Sequence, residues 1–159
     1  MQMQTAVHIP PCFMQPDAKR AIDVIKYGVI TVTPQSRLYQ ALACIVDLNI
    51  SGLPVVDKAM HLEGIITEKD LMPYFYGDNL PPSQVGEIMT TDITTFSPED
   101  SVFEICECLL HNNFRRVPIV KDGVLVGLIS RADVIRYILR NLSHLRHYRA
   151  LQKVNEMIP

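Results

Sequence analysis

The sequence predicts an α/β (α+β) chain made of two β-α-β-β-α repeats packed together, followed by a C-terminal helical extension. Three observations carry this. First, the chain repeats itself with an offset of 64 residues: Asp23-Val-Ile and Val29-Ile-Thr-Val-Thr-Pro34 recur as Glu87-Ile-Met and Ile93-Thr-Thr-Phe-Ser-Pro98. Cys44, Pro54 and Val56 recur as Cys108, Pro118 and Val120, and after the loss of one residue Gly64, Thr67 and Asp70 recur as Gly127, Ser130 and Asp133. Second, each copy alternates β-branched runs with apolar residues spaced three and four apart. Third, a unit of about 55 residues buries too little apolar surface to be stable alone, so two must bury surface together.

The elements follow in order. Residues 1–20 form an N-terminal arm, and the first sixteen show little periodicity. Repeat 1 covers 21–77 and repeat 2 covers 85–140. Val29 to Val32 and Ile93 to Phe96 suit short strands. Thr33-Pro34 and Ser97-Pro98 then read as an N-cap followed by proline at the first helical position. Leu38, Ala41, Leu42, Ile45 and Leu48 mark the first helix; Val102, Ile105, Cys106 and Leu109 mark its copy. Leu53-Pro-Val-Val56 with Gly64-Ile-Ile66, and Val117-Pro-Ile-Val120 with Val124 to Ile129, give two strand pairs, the second closed by the turn signal Lys121-Asp122-Gly123. A closing helix starts at Thr67 and at Ser130, with Pro73 ending or kinking the first of these early. Tyr76 to Ser83, rich in helix breakers, is the boundary loop. In residues 141–159 the stripe Leu142, Leu145, Leu151, Val154 and Ile158 reads as an amphipathic helix.

Composition narrows the function classes. The chain has 159 residues and 18.0 kDa, with 48% hydrophobic and 20% charged residues and a net charge of −2, a globular composition rather than a disordered or fibrous one. No apolar run approaches the roughly 18 residues of a membrane helix, and no basic segment leads into an apolar one at the start, so the expected location is cytoplasmic. Cys106 and Cys108 stand two apart on a helix and cannot chelate one ion, which makes them small core residues. His144 and His147 have helical ligand spacing but no carboxylate or cysteine to complete a metal site. No nucleophile with its base, phosphate-binding glycine loop or metal triad is present, so the chain is expected not to be an enzyme and to carry no resident cofactor or metal.

The residues with chemistry are the duplicated helix starts, Gly64-Ile-Ile-Thr67-Glu-Lys-Asp70 and Gly127-Leu-Ile-Ser130-Arg-Ala-Asp133. A hydroxyl residue followed three positions later by a carboxylate makes a capping-box-like pattern, in which the acid reaches back to the cap amide. The same arrangement suits a nucleotide. A helix N-terminus offers amides and a positive dipole end to phosphate, and a nearby carboxylate accepts two hydrogen bonds from a ribose diol.

These motifs resemble the paired CBS domains, or Bateman module. The resemblance covers about residues 20–140 and rests on two copies each of Val/Ile-x-Thr-x-Thr/Ser-Pro, hydrophobic-x-x-hydrophobic-Pro-hydrophobic-Val and Gly-hydrophobic-Ile-Thr/Ser-x-x-Asp. It implies a pseudo-twofold pair with two clefts in which an adenosyl ligand (AMP, ADP, ATP or S-adenosylmethionine) regulates an unidentified effector protein. It assigns Asp133 and Asp70 to ribose hydroxyls, and Ser130 and Thr67 to the ribose-phosphate part. The second cleft would combine Ser130, Asp133, Arg115, Arg116 and Arg131 with Ile50, Ser51 and Thr31; the first would combine Thr67 and Asp70 with Phe114, Arg115 and Thr95. Arg131 faces Glu68 in the alignment of the repeats, so the second cleft is the better phosphate site.

Two other classes compete with this reading. A ligand-free dimerising scaffold would use the fold without its clefts. A nucleic-acid binder would use the C-terminal stretch, where six Lys or Arg against two acids from Arg131 onward give a local excess of +4. The apolar stripe in that stretch favours packing over nucleic acid. Leu71, Met72, Ile135 and Leu139 on one face of the closing helices lead to the expectation of a homodimer.

Overall fold

The computed structural model of the protein describes residues 19–75 and 82–140. The arm up to residue 18, Cys12 within it, residues 76–81 of the boundary loop, and the C-terminal stretch 141–159 with His144 and His147 lie outside the described residues. Repeat 1 contains α1 (Leu38–Asp47), β1 (Gly52–Val56), β2 (Leu62–Thr67) and α2 (Glu68–Phe75). Repeat 2 contains α3 (Val102–His111), β3 (Arg116–Lys121), β4 (Val124–Ser130) and a helix over residues 131–140, α4.

Each hairpin is antiparallel, with Gly52 opposite Thr67 and Arg116 opposite Ser130, so both strand pairs end where a helix begins. Asp122 (φ 51°) and Gly123 (φ 81°) are the two central residues of the second hairpin turn. A two-residue loop with both φ values positive matches the twist of the strands it joins. The first hairpin uses a longer loop, in which Asp57 accepts hydrogen bonds from the backbone N–H of Ala59 and His61, both at 2.8 Å, and pairs with the His61 ring at 2.9 Å. The two hairpins meet near these loops, where Leu62 N–H donates to Gly123 O and Leu125 N–H to Met60 O.

The expected strands at Val29–Val32 and Ile93–Phe96 reduce to single parallel bridges, Val32 with Val55 and Phe96 with Ile119. Val32 N–H donates to Pro54 O and Val56 N–H to Val32 O; Phe96 N–H donates to Pro118 O and Val120 N–H to Phe96 O. The next bond in either direction would need an N–H from Pro54 or Pro34 in the first repeat, and from Pro118 or Pro98 in the second. Proline has none, so pairing stops after one residue.

Thr33 and Ser97 are not helix caps. The backbone N–H groups of Ser36 and Asp100 donate to Thr33 O and Ser97 O, so each Thr/Ser-Pro pair opens a turn, and proline's fixed φ suits the second turn position as well as it suits a first helical one. α1 and α3 begin four residues later, capped by Arg37 and by Ser101, whose hydroxyl accepts from Phe103 N–H. Pro73 sits inside α2, which spans only eight residues.

The buried residues form two clusters, and each crosses the repeat boundary. Ala21 and Ile25 pack with Ile105, Leu109, Val117, Ile119, Ile129 and Val134 of repeat 2, with Cys106 and Cys108 against them. Val85 packs with Leu38, Ala41, Ile45, Leu53, Val55 and Ile66 of repeat 1. The leading segments are therefore exchanged. Lys26 exchanges backbone bonds with Leu128 on β4, and Thr90 does so with Ile65 on β2. Gly127 and Gly64 make room for them. A Cβ on Gly127 would lie 2.5 Å from Lys26 O, and one on Gly64 would lie 2.6 Å from Met89 Sδ and 3.1 Å from Thr90 O.

Candidate functional site

The hairpin register sets the site. Ser130 faces Arg116 across the β3–β4 hairpin, while Leu128, two residues earlier, faces Lys26 of the leading segment. The start of α4 is thus flanked by Arg116 on one side and by Lys26 on the other. The pseudo-equivalent start of α2 is flanked by Gly52 and Thr90.

Both capping boxes form. Asp133 Oδ2 accepts from Ser130 N–H at 2.9 Å and from the Ser130 hydroxyl at 2.5 Å; Asp70 Oδ2 accepts from Thr67 N–H at 2.6 Å and from the Thr67 hydroxyl at 2.7 Å. Each carboxylate keeps one outward oxygen. Asp133 Oδ1 accepts from Arg136 Nη1 at 2.7 Å, and Asp70 Oδ1 from the Thr90 hydroxyl at 3.2 Å. The outward oxygen of Asp133 faces a cavity of about 200 Å³ lined by Asp23, Val24, Ile25 and Lys26 from the leading segment and by Asp133, Arg136, Tyr137 and Arg140 from α4. Lys19 Nζ stands 5.4 Å from the Tyr137 ring centre.

Arg116 joins the two repeats. Its Nε donates to Ser51 Oγ and its Nη1 to Gly52 O, both at 3.1 Å. Burial pulls its guanidinium below the ordinary arginine value, while the carboxylates of Asp133 and Glu68 oppose that shift. Ser51, Arg116 and Asp133 therefore come together as the sequence reading requires. Arg115 is exposed and lies 3.5 Å from Glu68 Oε2, so each offsets the other's charge.

Arg131 has a different place from the one expected of a phosphate ligand. Its Nε donates to Phe114 O at 2.6 Å, and its Nη2 to Leu109 O at 2.9 Å and to Asn113 Oδ1 at 3.2 Å. α3 ends on Asn113 in the left-handed conformation (φ 54°), which turns the last carbonyls toward the start of α4. A guanidinium there satisfies acceptors that a helix end leaves unpaired and complements its negative dipole end.

The remaining expected residues lie at the margins. Ile50 packs against the repeat 1 cluster, and the Phe114 side chain is exposed. Thr31 and Thr95 immediately precede the single-bridge residues Val32 and Phe96. Lys26, Arg136, Tyr137 and Arg140 escaped the sequence reading. Asp133, Arg136, Tyr137 and Arg140 fall at spacings of 3, 4 and 7 on one helix face, a visible signal; Lys26 reaches the site only because the leading segments are exchanged.

Two β-α-β-β-α units with exchanged leading segments, and a capped carboxylate at the junction on each side, define a tandem ligand-module fold. The chain belongs to the CBS domain family, whose pattern matches residues 21–77 and 85–140. It is 30% identical over 132 residues to the mitochondrial CBS domain-containing protein CBSX3 of Arabidopsis thaliana, covering 79% of this chain and 62% of that one. It is 27% identical over 115 residues to an uncharacterized Methanocaldococcus jannaschii protein, covering 72% and 41%. The chain thus spans well under two thirds of these relatives' length. It also resembles the CBS region of inosine-5′-monophosphate dehydrogenase of M. jannaschii, at 33% identity over 74% of this chain but 23% of the enzyme. Among solved structures, CBSX2 in complex with AMP superposes with a TM-score of 0.71 at 26% identity, covering 77% of this chain and 98% of that one. The CBS pair of protein MJ0100 with 5′-methylthioadenosine and S-adenosyl-L-methionine gives 0.68 at 25% identity, covering 77% and 98%.

Proposed function

We propose that the protein is a regulatory sensor module that binds an adenosyl ligand in the second cleft and transmits its occupancy to an effector protein. The observation that carries this is the cavity opening onto the outward oxygen of Asp133, with a nearly continuous cationic rim of Lys26, Arg136 and Arg140. In this reading Asp133 Oδ1 takes the ribose hydroxyls, Ser130 and the first amides of α4 face the ribose-phosphate part, and Arg116 supplies positive charge from the repeat junction. The AMP and S-adenosylmethionine complexes of similar CBS pairs support the ligand class.

A screen by thermal melting and calorimetry tests it. At a hundred times its dissociation constant a bound nucleotide adds about 2.7 kcal/mol, a rise of about 5–10 °C for a chain of this size. Asp133→Ala should weaken binding more than Asp70→Ala. An unchanged melt with AMP, ADP, ATP and S-adenosylmethionine would discard the sensor reading.

A second reading has one observation behind it. Both outward carboxylate oxygens already have protein donors, Arg136 and Thr90, so the fold needs no ligand to satisfy them. A ligand-free scaffold is the reading that an unresponsive melt would leave standing.

A further inference from the structure

Arg136 holds the group that a ribose would need. Asp133 makes three hydrogen bonds: two at Oδ2, from the Ser130 amide and hydroxyl, and one at Oδ1, from Arg136 Nη1 at 2.7 Å. The Oδ2 bonds belong to the helix cap and survive ligand binding. The Oδ1 bond lies in the cavity, where the Asp133 side chain is 15% exposed and Arg136 is 62% exposed. The first cleft has no such arrangement. Pro73 occupies the position equivalent to Arg136, and the partner of Asp70 Oδ1 is the uncharged Thr90 hydroxyl.

We propose that Arg136 is a displaceable latch that makes the second cleft selective for a nucleoside 5′-phosphate over an uncharged nucleoside. This rests on the adenosyl reading of that cleft. Ribose hydroxyls must replace the guanidinium on Asp133 Oδ1, so every ligand loses the ion pair. An anionic 5′-substituent recovers it, because the released guanidinium swings within the cavity it already lines and meets the phosphate, a partner suited to its planar fork. A neutral nucleoside leaves the guanidinium without a counter-charge. The latch therefore raises the affinity for AMP relative to adenosine through a residue that contacts the ribose site before binding and the phosphate after it.

Calorimetric titration of the full chain with adenosine and with AMP tests this, on wild type, R136Q and R136K. Wild type should prefer AMP. R136Q should bind adenosine about two- to fivefold more tightly and AMP more weakly, so that the preference falls about tenfold; R136K, which keeps the charge, should retain most of it. The wild-type protein alone provides a second readout. Raising salt from 50 to 300 mM weakens an exposed ion pair, so adenosine affinity should rise while AMP affinity falls. If R136Q keeps the wild-type preference, or adenosine affinity does not rise with salt, the latch is wrong and the adenosyl reading stands. If wild type binds neither ligand, the adenosyl reading fails and the latch with it.

Discussion

Asp133 commits one carboxylate oxygen to the helix it opens and turns the other to the cavity, so a single side chain serves both fold and ligand. The two roles that the duplicated Thr/Ser-x-x-Asp motif allowed are therefore compatible, one per oxygen. Arg131 shows where residue-level inference from sequence stops. An arginine after a helix cap suits a phosphate site, but the left-handed turn at Asn113 brings three acceptors of the α3 end within its reach. That proximity is tertiary and leaves no trace in local spacing. Arg131→Ala should cost about 1–2 kcal/mol, since it removes charge-assisted bonds to a partly exposed helix end. The melt should fall by several degrees while AMP affinity changes less than twofold; an intact melt with lost AMP binding would place Arg131 in the ligand site instead.

At the scale of elements, what was legible was what depends on local periodicity and turn chemistry: both hairpins, the Asp122-Gly123 turn, and the helices α1 and α3 apart from their starts. The strand expectation failed at Val29–Val32 and Ile93–Phe96 because strand length here depends on which N–H groups prolines remove from two chain segments at once. The exchange of leading segments was equally hidden, since Lys26 and Thr90 find partners about a hundred and twenty-five residues away respectively only through the fold, at Leu128 and Ile65. Glycine marks where they dock. Gly127→Ala would push a Cβ against Lys26 O, and we expect a loss of about 1–3 kcal/mol from the displaced segment. Gly28→Ala, where φ is +67° but no atom lies within 4 Å, should lose only about 1 kcal/mol. Chemical denaturation of the two variants compares them; equal losses would mean that the Gly127 contact relaxes freely.

For the whole molecule, the exposed apolar side chains fall on helices of both repeats. Met72, Ile135 and Leu139 are 50%, 55% and 59% exposed on α2 and α4. Tyr39 and Val46 on α1, with Phe103 and Leu110 at the equivalent positions of α3, are exposed as well. Apolar surface repeated about a pseudo-twofold suits a symmetric partner, and a homodimer is the expected state. Sedimentation at micromolar concentration should give twice the 18.0 kDa chain mass, and Leu139→Glu should shift it to monomer. A wild-type chain that stays at monomer mass on concentration would refute this. Among the described residues no helix is long and apolar enough to cross a membrane.

The exchanged leading segments also order events in time. Ala21 to Lys26 leave the ribosome early, yet the strand they join and the cluster they fill end at Ser130 and Val134. At about 5–20 residues per second, those six residues wait on the order of 5–20 s for their partners to be synthesised. Repeat 1 is likewise incomplete until Val85 and Thr90 emerge. The chain therefore cannot fold one repeat at a time as it is made; its second half closes the first, and native structure is reached only near the end of translation.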